Sequence, residues 1–317
     1  MLTVLLATRN GAKTLPSVLD SFSRLDVPES GWKLIVVDNG STDNTRDILK
    51  SFGKKLPLTF LYETAPGKNA ALNTGLAQVE GDLVILTDDD VYPRRDWLLK
   101  MRAAVDAHPE IDVFGGTILP RWESPPPAWI AWTELSPTFA VTAPELAEGQ
   151  VSASNIYGPN MAVRADIFLR DVRFDAAIGP RGTSYAMGSE TELVRRLLSQ
   201  GRKAWHVKDA VVEHFIRSTQ LSPSWVMGRA VRFGRGQYRL EYGPTQGEAT
   251  SHWFGAPRYL YKAFISQALS IASAALRMNR QALFRARWQW NFLKGQFIEA
   301  RIFSRDKLSG EARRSAD

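Results

Sequence analysis

Cysteine is absent from the 317-residue sequence, and histidine occurs only four times. The lack of cysteine excludes disulfide bonds, thiolate zinc sites and a cysteine nucleophile. It is compatible with a reducing cytoplasm, where we expect the protein to be located. Hydrophobic residues make up 44% of the chain and charged residues 23%. This composition is typical of a globular protein with a hydrophobic core.

Long apolar runs are also missing. The N-terminal run is too short for a signal peptide, and no cationic segment precedes it. The longest later run, residues 265–276, is interrupted by Ser266, Gln267, Ser270 and Ser273. It is shorter than the roughly 18–20 apolar residues that a membrane-spanning helix needs. We therefore expect no transmembrane segment.

Acidic residues are scarce in the last third of the chain. Residues 217–317 contain 17 Lys and Arg but six Asp and Glu, whereas residues 1–216 contain 23 and 27. The basic excess predicts that the C-terminal segment contacts an anionic partner. Arginines interleaved with tryptophans suit a helix lying on an anionic bilayer, so the inner face of the cell membrane is one candidate. Packing against the rest of the chain or a second subunit is the alternative, and the absence of any nucleic-acid-binding motif argues against DNA or RNA.

The first ninety residues alternate runs of strand length with helix-compatible stretches. The predicted strands are Leu2–Ala7, Leu34–Val37, Thr59–Tyr62 and Leu83–Leu86. The predicted helices between them are Thr14–Leu25, Thr42–Phe52 and Gly67–Val79. This alternation predicts an α/β fold with right-handed crossovers and a mostly parallel sheet flanked by helices. Further along, RWESPPPAW predicts an irregular loop, residues 187–200 a helix, and the chain beyond His214 a mainly helical segment.

Polar residues follow three of the predicted strands. They occupy Thr8–Asn10, Asp38–Ser41 and Asp88–Asp90. Because ligands of parallel sheets bind beyond the carboxyl ends of the strands, we expect these segments to line one edge.

The third of these segments is an acidic triplet, in LTDDDVYP. Three adjacent carboxylates repel one another, and a divalent cation would relieve that repulsion. Oxygen ligands favour Mg²⁺ or Mn²⁺. The alternative is a solvated turn, in which Asp is common.

Three ordered segments read VVDNGSTDNT, PGKNAALNTGLAQVEGDLVILTDDDVYPRRDWL and GSETELVRRLLSQGRKAWHVKDAVVEHF. Together they resemble the inverting family 2 glycosyltransferases, which have the GT-A fold. Three segments in order are far more specific than one motif. The resemblance implies a GT-A catalytic domain over residues 1–216, with a nucleotide-sugar half over about 1–110 and an acceptor half over about 111–216. A basic, mainly helical extension would then occupy residues 217–317.

The resemblance also implies the reaction. A sugar would pass from a UDP-, GDP- or dTDP-sugar to the hydroxyl of a glycan or lipid-linked glycan, with inversion at the anomeric carbon. Mg²⁺ or Mn²⁺ is the implied cofactor, and polysaccharide or cell-envelope biosynthesis is the implied role.

Nucleotide-binding residues are implied at five positions, namely Thr8, Asp38, Asn39, Lys68 and Asp88. Asp38 and Asn39 are expected to contact the base and ribose, and Thr8 to line the base pocket. Many members of the family have a second acidic residue where this chain has Asn39. Lys68 is expected to neutralise phosphate charge, and its alternative is a solvated lysine at a helix start.

The implied metal ligands are Asp88 and Asp90, with His214 as a third. The alternative for His214 is a packed residue after an apolar strand. Glu190 stands at the position of the family's catalytic base, which is commonly Asp, and is expected to deprotonate the acceptor hydroxyl.

Acceptor-binding residues are implied at Asn160, Met161 and Glu192. Glu192 has a second interpretation, because Ser189 at a helix start and Glu192 three positions later form a capping box. Three tryptophans beside the proline-rich loop can either stack on sugar rings or form a small separate core: Trp122, Trp129 and Trp132.

Two other functions compete with the transferase. A sugar nucleotidyltransferase typically begins with a glycine-rich triphosphate loop, but ATRNGAKTL contains only Gly11. A non-catalytic carbohydrate-binding or scaffold protein is the second alternative, since Asn39, Ser189 and Glu190 depart from the family pattern. It predicts binding of nucleotide sugars without turnover, or no binding.

Overall fold

The computed structural model of the chain describes residues 1–182, 185–243 and 252–314. Within these ranges, no helix combines the length and the apolar character needed to cross a membrane. The described residues group into two compact units. The first unit draws on residues 1–123, 139–183 and 189–216, and the second on residues 124–138, 184–188 and 217–317. The domain boundary after residue 216 stays a prediction, and the second unit also includes two short segments upstream of it.

The N-terminal half of the first unit is a parallel sheet with helical crossovers. Its strands are β1 (Leu2–Thr8), β2 (Trp32–Asp38), β3 (Leu58–Tyr62) and β4 (Leu83–Asp88). Its helices are α1 (Leu15–Phe22), α2 (Thr45–Phe52) and α3 (Lys68–Leu76). The strands lie in the order β3-β2-β1-β4, and neighbouring strands are parallel. β1, β2 and β4 are almost continuously buried, as expected for strands covered on both faces. The predicted parallel arrangement is confirmed here.

The rest of the sheet is mixed. Its strands are β5 (Val91–Pro93), β6 (Val113–Trp122), β7 (Gly149–Gln150), β8 (Met161–Arg164) and β9 (Ala204–Ile216). The intervening helices are α4 (Trp97–Ala107), α5 (Leu135–Phe139), α6 (Ala165–Leu169) and α7 (Ser189–Ser199). β8 lies antiparallel between β4 and β6, and β9 is parallel to β6 but antiparallel to β5 and β7. The strand that pairs with β4 on this side, β8, therefore comes much later in the chain.

The second unit is mainly helical. It contains α8 (Pro223–Tyr242), the short strands β10 (His252–Trp253) and β11 (Ala256–Pro257), α9 (Arg258–Leu276) and α10 (Arg280–Arg314). α8 and α10 approach closely at two glycines. A Cβ on Gly234 would lie 2.0 Å from the Phe292 carbonyl oxygen, and one on Gly295 would lie 2.0 Å from the Val231 carbonyl oxygen. Only glycine allows such a close helix crossing.

Some of the arginines of this unit form ion pairs in its interior. Glu299 on α10 is fully buried, and both Arg235 and Arg239 of α8 pair with its carboxylate. The Arg235 Nε lies 2.7 Å from Glu299 Oε2. These two arginines therefore join α8 to α10, and their charge is paired within the protein and does not serve to bind an external anion.

Candidate active site

The three polar segments predicted to line one edge do so. In the sheet register Thr8 is opposite Asp38, and Ala7 is opposite Asp88. The Thr8 hydroxyl donates a hydrogen bond to the Asp89 carboxylate. The edge therefore begins with a small buried hydroxyl that joins β1 to the acidic triplet after β4.

Asp38 at the end of β2 is held by two donors. Its side chain is buried, and its carboxylate accepts hydrogen bonds from the Ser41 amide at 2.9 Å and from Arg46 Nε at 2.8 Å. The Arg46 guanidinium lies 4.0 Å above the ring of Tyr62, the last residue of β3. The buried Asp38 carboxylate thus holds a guanidinium that stacks on a half-exposed aromatic ring.

Arg46 was missed by the sequence reasoning, although a signal was present. An arginine in the first turn of a helix is disfavoured by the helix dipole unless it has a partner. Arg46 is the second residue of α2, and the nearest buried acid, Asp38, precedes it by eight positions. The unfavourable position of the cation therefore indicated a carboxylate nearby.

Asn39 makes three hydrogen bonds to the loop between β3 and α3. Its side-chain amide donates to the carbonyl oxygens of Glu63 at 3.2 Å and Ala65 at 2.7 Å, and its Oδ1 accepts from the Gly67 amide at 2.8 Å. A carboxylate could not donate to the two carbonyl groups. The Asn39 side chain therefore fixes the loop before α3, and its contact with the base and ribose stays a prediction.

The centre of the edge is a cation between two carboxylates. Lys68 is the first residue of α3, and its Nζ lies 2.6 Å from Asp88 Oδ1 and 3.1 Å from Glu190 Oε1. Each of the three side chains is about one fifth exposed. Burial alone would lower the pKa of Lys68, but the charges of Asp88 and Glu190 raise it well above its ordinary value. Lys68 is therefore protonated at neutral pH.

Glu190 projects from the first turn of α7 against Gly158. A Cβ added to Gly158 would lie 2.2 Å from Glu190 Oε1. The absence of a side chain at this position therefore makes room for the carboxylate. Gly158 belongs to the YGPN segment. The sequence predicted acceptor-binding roles for Asn160 and Met161 beside it, but none for this glycine. A glycine before a proline was the available signal, because it marks a position where backbone must approach another group closely.

The predictions for Asn160 and Met161 as acceptor-binding residues are corrected. Asn160 has no exposed surface, its Oδ1 accepts from Trp97 Nε1 at 2.9 Å, and its amide donates to the carbonyls of Thr117 and Ala210. Met161 is fully buried in the hydrophobic core. Asn160 satisfies buried polar groups of three elements, and neither side chain reaches the surface.

Glu192 pairs with an arginine of its own helix. Its carboxylate pairs with Arg196 at 2.9 Å, and Arg196 in turn donates to the Arg173 carbonyl at 2.7 Å. α7 begins at Ser189 itself, so that Ser189 lies inside the first turn. Glu192 therefore joins α7, through Arg196, to the segment before it. The helix start does not fit the capping box, and the acceptor contact stays a prediction.

Asp90, the residue before β5, lies close to His214 on β9. The His214 Nδ1 donates to the Phe139 carbonyl at 2.6 Å, which leaves Nε2 pointing to Asp90 Oδ1 at 3.6 Å. A histidine that ligates a metal usually donates its other ring N–H to a carbonyl or carboxylate. The tautomer of His214 therefore suits metal ligation.

The acidic residues fit a Mg²⁺ or Mn²⁺ site that is completed by a ligand. Among the described residues no group of three or more His, Cys, Asp or Glu side chains is arranged to hold a metal. Mg²⁺ is commonly held by one or two carboxylates together with substrate phosphates and water. Asp88 and Asp90 offer that donor set at the carboxyl edge of β4. In this structure, Asp88 Oδ1 is paired with the Lys68 ammonium.

The three tryptophans near the proline-rich loop pack against protein. Trp122 lies edge-on to Phe139 at 5.6 Å between ring centroids. Trp129 and Trp132 flank the buried ring of Phe284 at 5.3 and 6.0 Å. These contacts favour the interpretation as small separate cores.

Several curated proteins are similar to this chain over part of their length. The poly(ribitol-phosphate) beta-N-acetylglucosaminyltransferase TarS of Staphylococcus aureus is 32% identical over 107 residues, 33% of this chain and 19% of TarS. The glucosyl-dolichyl phosphate glucuronosyltransferase of Haloferax volcanii is 25% identical over 164 residues, 51% of this chain and 50% of that protein. The part of this chain that matches thus spans half or less of the length of these relatives.

Solved structures of glycosyltransferases share the fold. Residues 1–349 of S. aureus TarS match with a TM-score of 0.54 and 17% identity, covering 93% of this chain and 90% of that one. The mannosyltransferase PcManGT from Pyrobaculum calidifontis, in complex with GDP-Man and Mn²⁺, matches with a TM-score of 0.63 and 19% identity, covering 96% and 86%. These similarities confirm the predicted GT-A fold. Residues 3–168 match the family described as "Glycosyl transferase family 2", and the chain belongs to that family.

Proposed function

We propose that this protein transfers a sugar from a nucleotide-sugar donor to the hydroxyl of a glycan or lipid-linked glycan, with inversion at the anomeric carbon. Membership of the family supports glycosyl transfer. The archaeal relative is named for a dolichyl-phosphate-linked sugar, which supports a lipid-linked acceptor. TarS is named for the transfer of N-acetylglucosamine to poly(ribitol-phosphate), which supports a polymeric acceptor that carries hydroxyl groups.

The donor would lie along the carboxyl edge of β1, β2 and β4. Asp38 and Thr8 flank the space for the nucleoside, and Arg46 with Tyr62 adds a cation and a planar ring beside it. Lys68 and Asp88 flank the space for the diphosphate. UDP-, GDP- and dTDP-sugars all meet this description. TarS has been solved with UDP-GlcNAc and PcManGT with GDP-Man, which supports a donor of this class.

A divalent cation would be held by Asp88 and Asp90, with His214 Nε2 beside them. When bound, Mg²⁺ or Mn²⁺ would neutralise the negative charge that develops on the departing nucleoside diphosphate. Lys68 supplies a permanent positive charge at the same place.

Glu190 would act as the general base. Its carboxylate takes the proton of the acceptor hydroxyl while that oxygen forms a bond to the anomeric carbon. The bond from the anomeric carbon to the phosphate oxygen breaks on the opposite side, and its electron pair leaves with the nucleoside diphosphate. A single displacement of this kind inverts the configuration.

One observation carries the proposal: Lys68 lies within hydrogen-bonding distance of both Asp88 and Glu190. Asp88 belongs to the proposed donor edge, and Glu190 lies in the first turn of α7, a helix of the proposed acceptor half. One ammonium group therefore brings the two halves of the reaction to the same point.

The proposal is tested with a panel of UDP-, GDP- and dTDP-sugars. Thermal shift with and without Mn²⁺ should identify one nucleotide that stabilises the protein more in the presence of the metal, and EDTA should abolish the difference. Release of that nucleotide from its sugar should then depend on an added acceptor. Stabilisation without any turnover would favour the non-catalytic binding protein instead.

A further inference from the structure

One side of α9 presents apolar residues to solvent. We call the exposed residues of this side the α9 outer face: Arg258, Lys262, Ile265, Leu269, Ala272 and Leu276. Successive members are alternately four and three positions apart. At about 100° per residue, these positions fall within an arc of roughly 80° on the helix. The face is therefore a single stripe along the whole helix.

The opposite side of α9 already has its partners. Leu260 and Ala274 are buried. Phe264 packs edge-on against Trp290 at 4.9 Å and Phe297 at 6.0 Å between ring centroids. The outer face is thus a second apolar surface of a helix whose core side is filled.

The exposure of the outer face is large. The exposed fractions are 66% for Ile265, 67% for Leu269 and 85% for Leu276. The stripe is extended at its two ends by Phe254, which is 88% exposed, and Met278, which is 87% exposed. Contiguous exposed apolar side chains of this kind mark an interaction surface rather than ordinary surface variation.

The charged residues of α9 and of the segments that flank it in sequence have one sign. Residues 249–298 contain seven Lys and Arg and no Asp or Glu. Arg258 and Lys262 lie on the stripe itself, and Arg277 and Arg280 follow its other end. Apolar side chains flanked by cations are complementary to a surface with anionic head groups above a hydrocarbon layer.

We propose that the α9 outer face, with Phe254 and Met278, lies in the head-group region of an anionic phospholipid bilayer. Self-association through the same face fits less well, because a symmetric contact would place the cations of two copies together without an acid to pair with them. The proposal concerns lipid binding alone and does not depend on the transferase activity.

Vesicle co-sedimentation of the full chain tests the proposal. Vesicles of phosphatidylcholine with one quarter phosphatidylglycerol should bind the protein, and pure phosphatidylcholine vesicles should bind it much more weakly. The double substitution Ile265→Glu and Leu269→Glu should reduce binding by roughly tenfold or more. Leu169→Glu, at a 72% exposed leucine of the first unit, is the matched control and should bind as the unchanged protein does.

The absence of cysteine allows a direct measurement of depth. A nitroxide on Leu269→Cys would be the only thiol-linked label, and Leu169→Cys provides the control position. With anionic vesicles, the label at 269 should lose access to a water-soluble relaxation agent and gain access to oxygen, while the label at 169 should not change.

Two results would overturn the proposal. One is equal vesicle binding by the double variant and the unchanged protein, with thermal unfolding confirming that both are folded. The other is a solution mass of two chains that the double variant reduces to one, because the face would then be a subunit contact.

Discussion

Lys68 and Glu190 are 122 positions apart in the chain, yet the Lys68 Nζ donates to Glu190 Oε1 at 3.1 Å. The same ammonium lies 2.6 Å from Asp88 Oδ1. The two carboxylates repel each other unless a cation lies between them. The cation at this position is therefore important for both stability and the proposed chemistry.

Replacement of Lys68 by methionine should lower both properties. The change leaves Asp88 and Glu190 facing each other without a cation and removes the charge beside the proposed diphosphate. We expect a loss of about 1–2 kcal/mol in the free energy of unfolding, since the three groups are partly solvated. We also expect a fall of roughly a hundredfold in kcat/KM. Chemical denaturation and a transfer assay measure the two effects, and Lys100→Met, at an exposed lysine on α4, is the control. Unchanged kinetics would show that Lys68 has only a structural role.

Gly158→Ala should disturb the Glu190 carboxylate. The new methyl group would be placed 2.2 Å from Glu190 Oε1, so the acid must move. We expect kcat to fall by roughly tenfold or more, because small displacements of a catalytic group are costly, while the affinity for the nucleotide stays the same. Gly53→Ala is the matched control, since its new Cβ would meet nothing closer than 3.5 Å. Full activity in Gly158→Ala would remove the argument that this glycine makes room for the base.

Asn39→Asp should loosen the loop before α3. The substituted carboxylate cannot donate to the carbonyl groups of Glu63 and Ala65, which lose their hydrogen bonds. We expect the free energy of unfolding to drop by about 2 kcal/mol, measured by urea denaturation. Asn44→Asp provides the comparison, because Asn44 precedes α2 and makes no side-chain cap hydrogen bond there. A stable Asn39→Asp protein would contradict the assigned role.

His206 should make the stability depend on pH. Burial lowers the pKa of His206 below 6.5, only partly opposed by the hydrogen bond to the Gly115 carbonyl. The unfolded chain therefore binds a proton at a higher pH than the folded chain does. Stability from this residue is complete above pH 6.5 and is lost as the pH falls from there towards the lowered pKa.

The His206→Gln variant lacks this titration. Its free energy of unfolding should decrease less between pH 7 and pH 5 than that of the unchanged protein. Urea denaturation at several pH values measures the difference, and parallel pH profiles of the two proteins would refute the assignment.

The first half of the fold could be predicted from the sequence because its signals are local. Strand-length apolar runs alternate with helices through β4, and each polar segment follows the strand that places it. Parallel pairing then brings Thr8, Asp38 and Asp88 to one edge without further information. The mixed part of the sheet could not be predicted in this way, since β8 and β9 pair with strands distant in sequence.

The error at Asn160 has a physical origin. The resemblance implied a contact with the acceptor for this residue. Its side chain is instead buried, and its hydrogen-bond partners come from segments tens of positions away. Sequence identifies an amide but not the distant carbonyl or indole groups that it will satisfy. The Lys68–Glu190 pair was beyond prediction for the same reason.

The most direct test of the account compares Glu190→Gln with Glu192→Gln. The two acids lie two positions apart in the first turn of α7, but Glu190 contacts Lys68 and Glu192 contacts Arg196. With the donor identified in the panel, the account predicts that Glu190→Gln binds the nucleotide sugar normally and loses roughly 10²–10⁴ in kcat. It predicts near-normal kcat for Glu192→Gln. Full turnover in Glu190→Gln, measured in the same assay, would contradict the central claim that this carboxylate is the base.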